Sequence, residues 1–317
     1  MPARKFWLRL FLFVAFPWLA VSCLGASEAS PTPEVMPASA LVYPGQIFTL
    51  GDIDANDPAT KIKRFQPLTE YLVANLGSYG YRTGRVVVAK NMEDMAGLLK
   101  DGTVDIYMDS PYPTLAVQKL AGSQVILRRW KGDLHSYSSK FVATKASGIE
   151  KAEDLLGHVV AFEESFSTSG YLLPAGTLIR NGFVLVEVKT PDAKVASHQI
   201  GYYFSLDHKN SVELLMQGRV AAAGMSLQDF DQFPGEVKDM LTLFGETMAV
   251  PRQLVSVRPD MEPNLVEKMQ QLMIGLDDTD EGRLLLKNMN RSRFDMLPPE
   301  AESALADLGA LMELVTR

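Results

Sequence analysis

The stretch HVVAFEESFSTSGYLLP, residues 158–174, predicts the fold of this chain. It begins with HVVAFEE, a short apolar run typical of a buried strand, and it ends in an apolar segment with helical spacing. Between them, residues 167–170 (Ser-Thr-Ser-Gly) place three hydroxyls and a glycine at the junction. A strand that passes through a small polar turn into a helix is the building unit of α/β folds.

The same unit occurs earlier in the chain. A strand at GRVVVAK, 84–90, leads to a helix capped by Asn91. A strand at TVDIYM, 103–108, leads to a helix with Ser110 as cap and Pro111 in its first position. Before them, ALVYPGQIFTLG predicts a strand that runs into a turn at 51–52. Three helices are predicted to close the chain, at 263–275, 279–288 and 299–315.

Two α/β units in tandem, followed by helices, predict two lobes. In parallel α/β sheets, ligands bind in the crevice beyond the carboxyl ends of the strands. We therefore expect the functional site between the lobes, where the strand-to-helix junctions lie.

The composition excludes one class of partner. The chain has 317 residues, 47% of them hydrophobic and 22% charged, which is typical of a globular protein long enough for two modest domains. Its formal net charge is -7, and it contains no basic run. Because a nucleic-acid backbone binds to a basic face, nucleic acid is not an expected partner. The histidines show no metal-ligand spacing, so no metal or other cofactor is expected.

The N-terminus has the pattern of an export signal. Arg4, Lys5 and Arg9 precede an apolar run at 10–20 that is too short for a comfortable membrane span. The run leads to AVSC, which ends in Cys23, the single cysteine of the chain, and resembles a bacterial lipobox. We expect a signal peptide at 1–22, then a lipidated Cys23 and a flexible, proline-rich tether at 23–40. A plain secretory signal and an uncleaved anchor stay open as alternatives.

The Ser-Thr-Ser-Gly turn has two interpretations. The first N–H groups of a helix have no partner within the helix, so hydroxyl residues at this position commonly act as caps. The same free N–H groups, hydroxyls and close backbone approach could instead bind an oxyanion without any lysine. The junction DSPYP, 109–113, offers similar groups in the other α/β unit. Pro174 has no N–H for the Gly170 carbonyl, so the main helix is expected to restart near Pro174.

Four pieces of sequence stand in the order found in a known family: RFQPLTEYLVANLG, GLLKDGTVDIYMDSPYPTLA, SGIEKAEDLLGHVVAFEESFSTSGYLLP and DHKNSVELLMQGRVAAAG. Over 41–300 the chain resembles the substrate-binding proteins of phosphate, phosphite and phosphonate ABC transporters, the phosphonate-binding family, which has the type II periplasmic-binding fold. The resemblance implies an α/β protein with two lobes, each a central, mostly parallel sheet flanked by helices, joined by two crossing strands. Lobe 1 would comprise 41–136 plus 252–317, and lobe 2 would comprise 137–251.

The resemblance also implies ligand-binding residues. Ser167, Thr168 and Ser169 would bind phosphoryl oxygens through hydroxyls and backbone N–H groups. The remaining matches to the family's site are His208, Tyr137, Ser110 and Tyr112. From the residues alone, His208 could instead cap a helix, and Tyr137 could be a packing residue.

Some positions depart from the family's pattern. Gln228 and Arg252 stand where binders of aminoalkylphosphonates have acidic residues. This charge reversal is expected to disfavour an aminophosphonate and to favour phosphate, phosphite or a carboxylated phosphonate. Ala221 replaces a usual aspartate. Asp109 either caps the following helix or faces the cleft, where it could accept a bond from a protonated ligand oxygen.

The sequence favours a binding protein over an enzyme. It contains neither a G-x-S-x-G nucleophile elbow nor a G-x-x-x-x-G-K-[ST] phosphate loop. We expect an exported lipoprotein, held at the membrane through Cys23, that captures a small phosphorus oxyanion as a monomer and delivers it to an ABC permease and its ATPase. The alternative is a sensory module of the same fold that feeds a signalling partner.

Overall fold

The computed structural model describes residues 46–54, 57–290 and 292–316. The predicted signal peptide, Cys23 and the tether lie outside the described residues. Within the described ranges, no helix combines the length and the apolar character that a membrane span requires.

Two six-stranded sheets organise the described residues. The first contains, in spatial order, β14 (Phe294–Asp295), β4 (Gln124–Arg129), β13 (Gln253–Val257), β3 (Ile106–Asp109), β1 (Gln46–Ile53) and β2 (Tyr81–Ala89). The second contains β11 (Leu241–Glu246), β6 (Ser139–Thr144), β10 (Ala222–Ser226), β7 (Val159–Phe162), β9 (Gln199–Phe204) and β8 (Val184–Glu187). In the second sheet, β10, β7, β9 and β8 are parallel neighbours. In the first, only β3, β1 and β2 are parallel, and β13, β4 and β14 pair antiparallel.

The chain passes between the sheets along a short two-stranded ribbon. β5 (Ser136–Tyr137) lies between β4 and β6 in the chain, and β12 (Val250–Pro251) lies between β11 and β13. These two segments pair antiparallel, with Val250 opposite Tyr137. The predicted two-lobed α/β fold with two crossing strands is therefore confirmed.

Helices cover the faces of both sheets. They are α1 (Pro58–Asn75), α2 (Met92–Lys100), α3 (Pro111–Ala121), α4 (Leu173–Arg180), α5 (His208–Met216), α6 (Leu227–Phe230), α7 (Gly235–Met240), α8 (Pro263–Ile274), α9 (Asp280–Asn288) and α10 (Pro299–Val315). The predicted cap of α2 is confirmed, because Asn91 accepts a hydrogen bond of 2.8 Å from the Asp94 N–H. The three closing helices also lie where the spacing predicted them.

The last helix packs on the second sheet's layer as well as on the first lobe. Leu308 and Leu311 of α10 belong to the same buried apolar cluster as Leu173 and Leu178 of α4. Gly176 lets the two helices approach, because a Cβ there would lie only 3.1 Å from Leu311. The lobe boundaries drawn from the sequence stay a prediction, since α10 contacts elements of both lobes.

The predicted turn at 51–52 was wrong. β1 continues to Ile53 because Gly51 and Asp52 pair with Val87 and Val88 of β2. Gly51 leaves room for a side chain of another element, since a Cβ would lie 2.8 Å from the end of the Met95 side chain of α2. The sequence reading also missed β8, a short strand at the edge of the second sheet.

Candidate functional site

Three neighbouring parallel strands of the second sheet end at the same edge. β10, β7 and β9 are followed by segments that hold Asp229, Ser167 and His208, respectively. Because parallel strands bring their carboxyl ends together, residues far apart in the sequence meet at this edge.

The Ser-Thr-Ser-Gly turn is a π-helical turn that runs directly into α4. Thr168–Leu172 is π-helical, and α4 begins at Leu173, so the expected restart beside Pro174 is confirmed. The Gly170 carbonyl, which Pro174 cannot satisfy, accepts a hydrogen bond of 3.0 Å from the Glu163 N–H. This bond ties the start of the helix to the end of β7.

The cap interpretation of this turn is confirmed at Ser167, and the oxyanion interpretation stays a prediction. Ser167 is the cap, since its Oγ accepts a hydrogen bond of 2.9 Å from the Gly170 N–H. The N–H groups of Thr168 and Ser169, by contrast, donate to no other described residue. The Ser169 hydroxyl also makes no hydrogen bond within the described part of the chain, although its side chain is largely buried. The turn therefore has, beside its own cap, neutral donors that bind no other described residue, which are groups of the kind that can bind an oxyanion.

The two strand-to-helix junctions touch each other across the lobes. The Thr168 hydroxyl donates to the Ser110 Oγ at 3.0 Å, and Thr168 Oγ1 accepts a bond of 2.9 Å from the Tyr112 N–H. Ser110 occupies the cap position of α3 but forms no side-chain capping bond, so its hydroxyl serves this contact. The Tyr112 side chain lies in an apolar cluster, where burial raises its pKa to about 12. The observed bond from Tyr112 to the other junction is therefore made by its N–H.

Tyr137 links this contact to two residues that depart from the family's pattern. Burial raises the pKa of Tyr137 to about 12, against the opposing effects of Arg252 and of a hydrogen bond with Thr168. The Arg252 guanidinium lies over the Tyr137 ring, 4.2 Å from its centroid. Arg252 Nε donates to Gln228 Oε1 at 2.9 Å, and Gln228 Nε2 donates to the Lys131 carbonyl at 3.3 Å.

An acidic group adjoins the other side of the turn. Glu163 accepts a hydrogen bond of 2.7 Å from the Ser167 hydroxyl, and its Oε1 lies 4.0 Å from His208 Nδ1. Burial and the nearby Asp229 raise the pKa of Glu163 to about 7. His208 is the first residue of α5 and not its cap, because Asp207 accepts the capping bond. The His208 Nε2 is buried and has no hydrogen-bond partner among the described residues.

These three side chains could hold a divalent cation. One ligand atom from each of Glu163, His208 and Asp229 lies within 4.8 Å of the others. Sequence spacing did not indicate this set, because its members follow three different strands. The expectation that the protein uses no metal stays a prediction.

Asp109 belongs to a buried network of the first lobe. Its carboxylate accepts bonds from the Tyr107 hydroxyl at 2.9 Å and from the Ser110 N–H at 2.6 Å. Burial and the Asp52 carboxylate raise the pKa of Asp109 to about 7, although Lys61 acts in the opposite direction. Lys61 itself pairs with Asp52 at 2.9 Å. Asp109 therefore lies beside a lysine at the first-lobe junction.

Comparison with known protein families identifies the family of this chain. The family model of the periplasmic substrate-binding protein of phosphonate ABC transporters matches residues 52–300. The chain belongs to this family. As a phosphonate-family substrate-binding protein, it works outside the cytoplasm with a small ligand and with permease and ATPase partners, and it is not an enzyme.

Solved structures share the fold over nearly their whole length. XAC2383 from Xanthomonas citri bound to chloride ion has a TM-score of 0.81 and 25% identity, with 85% of this chain and 99% of that chain covered. The structure of XAC2383 from Xanthomonas citri bound to ATP has a TM-score of 0.80 and 24% sequence identity, with 85% of this chain and 98% of that chain covered. PhnD1 from Prochlorococcus marinus in complex with methylphosphonate has a TM-score of 0.64 and 18% sequence identity, with 84% of this chain and 98% of that chain covered.

Sequence reasoning about this substrate-binding protein missed three charged residues. Glu163, Asp229 and Lys131 each follow closely on the end of a strand, namely β7, β10 and β4. Their position after a strand could have indicated them, because ligands of α/β sheets bind at the edge where the strands end. Only the strand order shows which of these ends are neighbours. Ala221, by contrast, lies one residue before β10, at the opposite end of that strand.

Proposed function

We propose that this protein captures a small phosphorus oxyanion, either phosphate, phosphite or a phosphonate, between its lobes and delivers it to an ABC permease. The observation that carries the proposal is the contact between the two junctions, in which Thr168 meets Ser110 and the Tyr112 N–H. A ligand oxygen that enters between them would find hydroxyl and N–H donors from both lobes. Its binding energy would therefore favour lobe closure.

Neutral donors suit an acidic protein. Hydroxyls and helix-start N–H groups bind an anion without adding a fixed charge, and they act strongly where water is excluded. Glu163 is the group that opposes an anion here. Its raised pKa leaves it partly protonated near neutral pH, and a protonated carboxyl can donate to a ligand oxygen. Two structural neighbours support the same chemistry, since ATP and methylphosphonate both present phosphorus-bound oxygens.

Calorimetry with a ligand panel tests the proposal. Phosphate, phosphite, methylphosphonate and 2-aminoethylphosphonate are titrated into the protein, with sulfate and acetate as non-phosphorus anions. We expect at least one phosphorus oxyanion to bind, and Thr168→Val to weaken that binding by about tenfold or more, because the buried donor is lost.

Thr177→Val is the matched control. It makes the same change on α4, where the Thr177 hydroxyl is buried and has no partner among the described residues. It should leave ligand affinity at the wild-type value. Absence of binding across the phosphorus panel, or wild-type affinity of Thr168→Val, would contradict the proposed function.

We also propose that the mature protein is a monomer held at the membrane by lipid on Cys23. The lone cysteine after the apolar run supports the anchor. Cys23→Ser should move the protein from the membrane fraction to the soluble fraction when both are produced in a bacterial host. An unchanged distribution would contradict the lipid anchor without affecting the ligand site.

A further inference from the structure

Arg252 is a buried cation without an anionic partner. Its side chain is held by the Gln228 amide and the Tyr137 ring, and the residue is only 6% exposed. No carboxylate of the described residues forms an ion pair with it. Arg128, which is buried to a similar degree, pairs with Asp295 at 2.5 Å. A buried charge is normally paired in this way, so the Arg252 site lacks an anion.

Lys131 is a second cation that forms no ion pair among the described residues. Its carbonyl accepts the Gln228 amide, which also holds Arg252. Burial and then the nearby Arg252 lower the pKa of Lys131 to about 8. In the part of the chain that the structure describes, its ammonium forms no ion pair. Two cations that repel each other in a partly buried site are both stabilised when an anion binds between them.

This cation pair lies close to the oxyanion donors. The Arg252 guanidinium lies over the Tyr137 ring, and Thr168 is close enough to the Tyr137 hydroxyl to act on its pKa, so one aromatic side chain separates the two groups. A ligand that reaches both would carry two acidic groups joined by a short carbon chain. The Tyr137 ring and the pairing of β5 with β12 fix the spacing between them.

We propose that Arg252 and Lys131 form a second anion subsite, and that the ligand is a phosphorus oxyanion carrying a second acidic group, such as a carboxylate. The inference rests on the proposed function, because it assigns the phosphorus end of the ligand to Thr168 and its neighbours. Asp229 acts on the Lys131 ammonium in the opposite direction to Arg252, and together with Glu163 it would suit an ammonium group instead. A preference for an amino ligand is therefore the opposite outcome of the test.

Calorimetry at pH 7 with three ligands of similar length provides the test: 2-carboxyethylphosphonate, propylphosphonate and 2-aminoethylphosphonate. We expect the carboxyethyl compound to bind about tenfold or more tighter than the propyl compound, since one added charged contact has that magnitude. Equal or tighter binding of the propyl or aminoethyl compound would overturn the second subsite and leave the proposed function standing. No binding by any phosphorus compound would overturn the proposed function itself.

Two variants locate the effect. Arg252→Gln and Lys131→Met should each reduce the carboxyethyl-to-propyl affinity ratio to near one, whatever happens to the absolute affinities. Arg219→Gln removes an exposed arginine that pairs with Asp192, and it should leave the ratio unchanged. If Arg252→Gln does not fold, Lys131→Met decides, since the Lys131 side chain is half-buried and has no ion pair to lose among the described residues. A ratio unchanged in Lys131→Met would place the carboxylate elsewhere.

Discussion

The two strand-to-helix junctions that meet at Thr168 look alike in sequence but differ in charge balance. In the first lobe, Asp109 lies beside Ser110, and Lys61 acts on its carboxylate. In the second lobe, Glu163 lies beside Ser167, with Asp229 rather than a lysine as its neighbour. Burial raises the pKa of both Asp109 and Glu163 to about 7. The charged neighbours of the first carboxyl group include Asp52 and Lys61, whereas the second has Asp229 nearby and the His208 ring 4.0 Å away.

The hydroxyls at the two junctions also serve different purposes. Ser167 is used twice, because it caps Gly170 and donates to Glu163. Ser110 makes no capping bond, so its hydroxyl meets Thr168. The comparison shows that position in a motif does not fix a residue's role. The second-lobe cap is structural, and the N–H groups that donate to no other described residue belong to the next two residues.

Gly170→Ala should give the largest loss of stability. A Cβ on Gly170 would overlap the Glu163 carboxyl, which the Ser167 hydroxyl holds in place. We expect a loss of about 2–3 kcal/mol in the free energy of unfolding, which is typical of overpacking a buried site. Urea unfolding of both proteins measures it.

Two further variants test this explanation. Glu163→Ala removes the overlapping atoms and should restore most of the stability of Gly170→Ala. Gly97→Ala, inside α2 where a Cβ would meet no atom within 4 Å, should instead stabilise the protein by about 0.5–1 kcal/mol. A Gly170→Ala protein as stable as the wild type would show that Glu163 is free to move away.

Glu163→Gln should make the protein more stable at alkaline pH. The unfolded carboxyl ionises near pH 4.5, whereas the folded group keeps its proton to about pH 7. Wild-type stability therefore falls as pH rises through this window, and glutamine, which does not ionise, avoids the loss. We expect a gain of about 1–3 kcal/mol at pH 8 that disappears near pH 4.5, measured by urea unfolding at both pH values.

Asp109→Asn is the corresponding variant at the first-lobe junction. It should show the same sign at pH 8 but a smaller gain. Asp109 uses both carboxylate oxygens, for Tyr107 and for Ser110, and asparagine supplies only one oxygen. A larger gain for Asp109→Asn than for Glu163→Gln would show that the folded protein does not need both Asp109 oxygens as acceptors.

Alanine substitutions of the two serines should give the smallest losses of stability, and the loss should be larger for Ser167 than for Ser110. Ser167→Ala removes a helix cap and should cost about 1 kcal/mol. Ser110→Ala removes no capping bond but loses the acceptor of the Thr168 hydroxyl, and it should cost about 0.5 kcal/mol. Thermal unfolding at pH 7 ranks them. Equal losses would mean that the two junctions are equivalent in the folded protein.

Local pattern alone predicted most of the fold. Strand-to-helix units, the Asn91 cap, the restart at Pro174 and the closing helices depend on residues a few positions apart, and such periodicity is readable without tertiary contacts. The turn predicted at 51–52 failed for the same reason. Gly51 looked like a turn residue, but its role is to admit the Met95 side chain from another element.

The sequence by itself determined which groups the candidate site contains, namely hydroxyl and N–H donors at the carboxyl ends of strands. The tertiary structure decided its charge. Glu163 and Asp229 meet because β7 and β10 are neighbours, and Arg252 reaches Tyr137 because β12 pairs with β5. Electrostatic energies depend on distance and burial, and both are set by strand order and crossing, which no local spacing in the chain records.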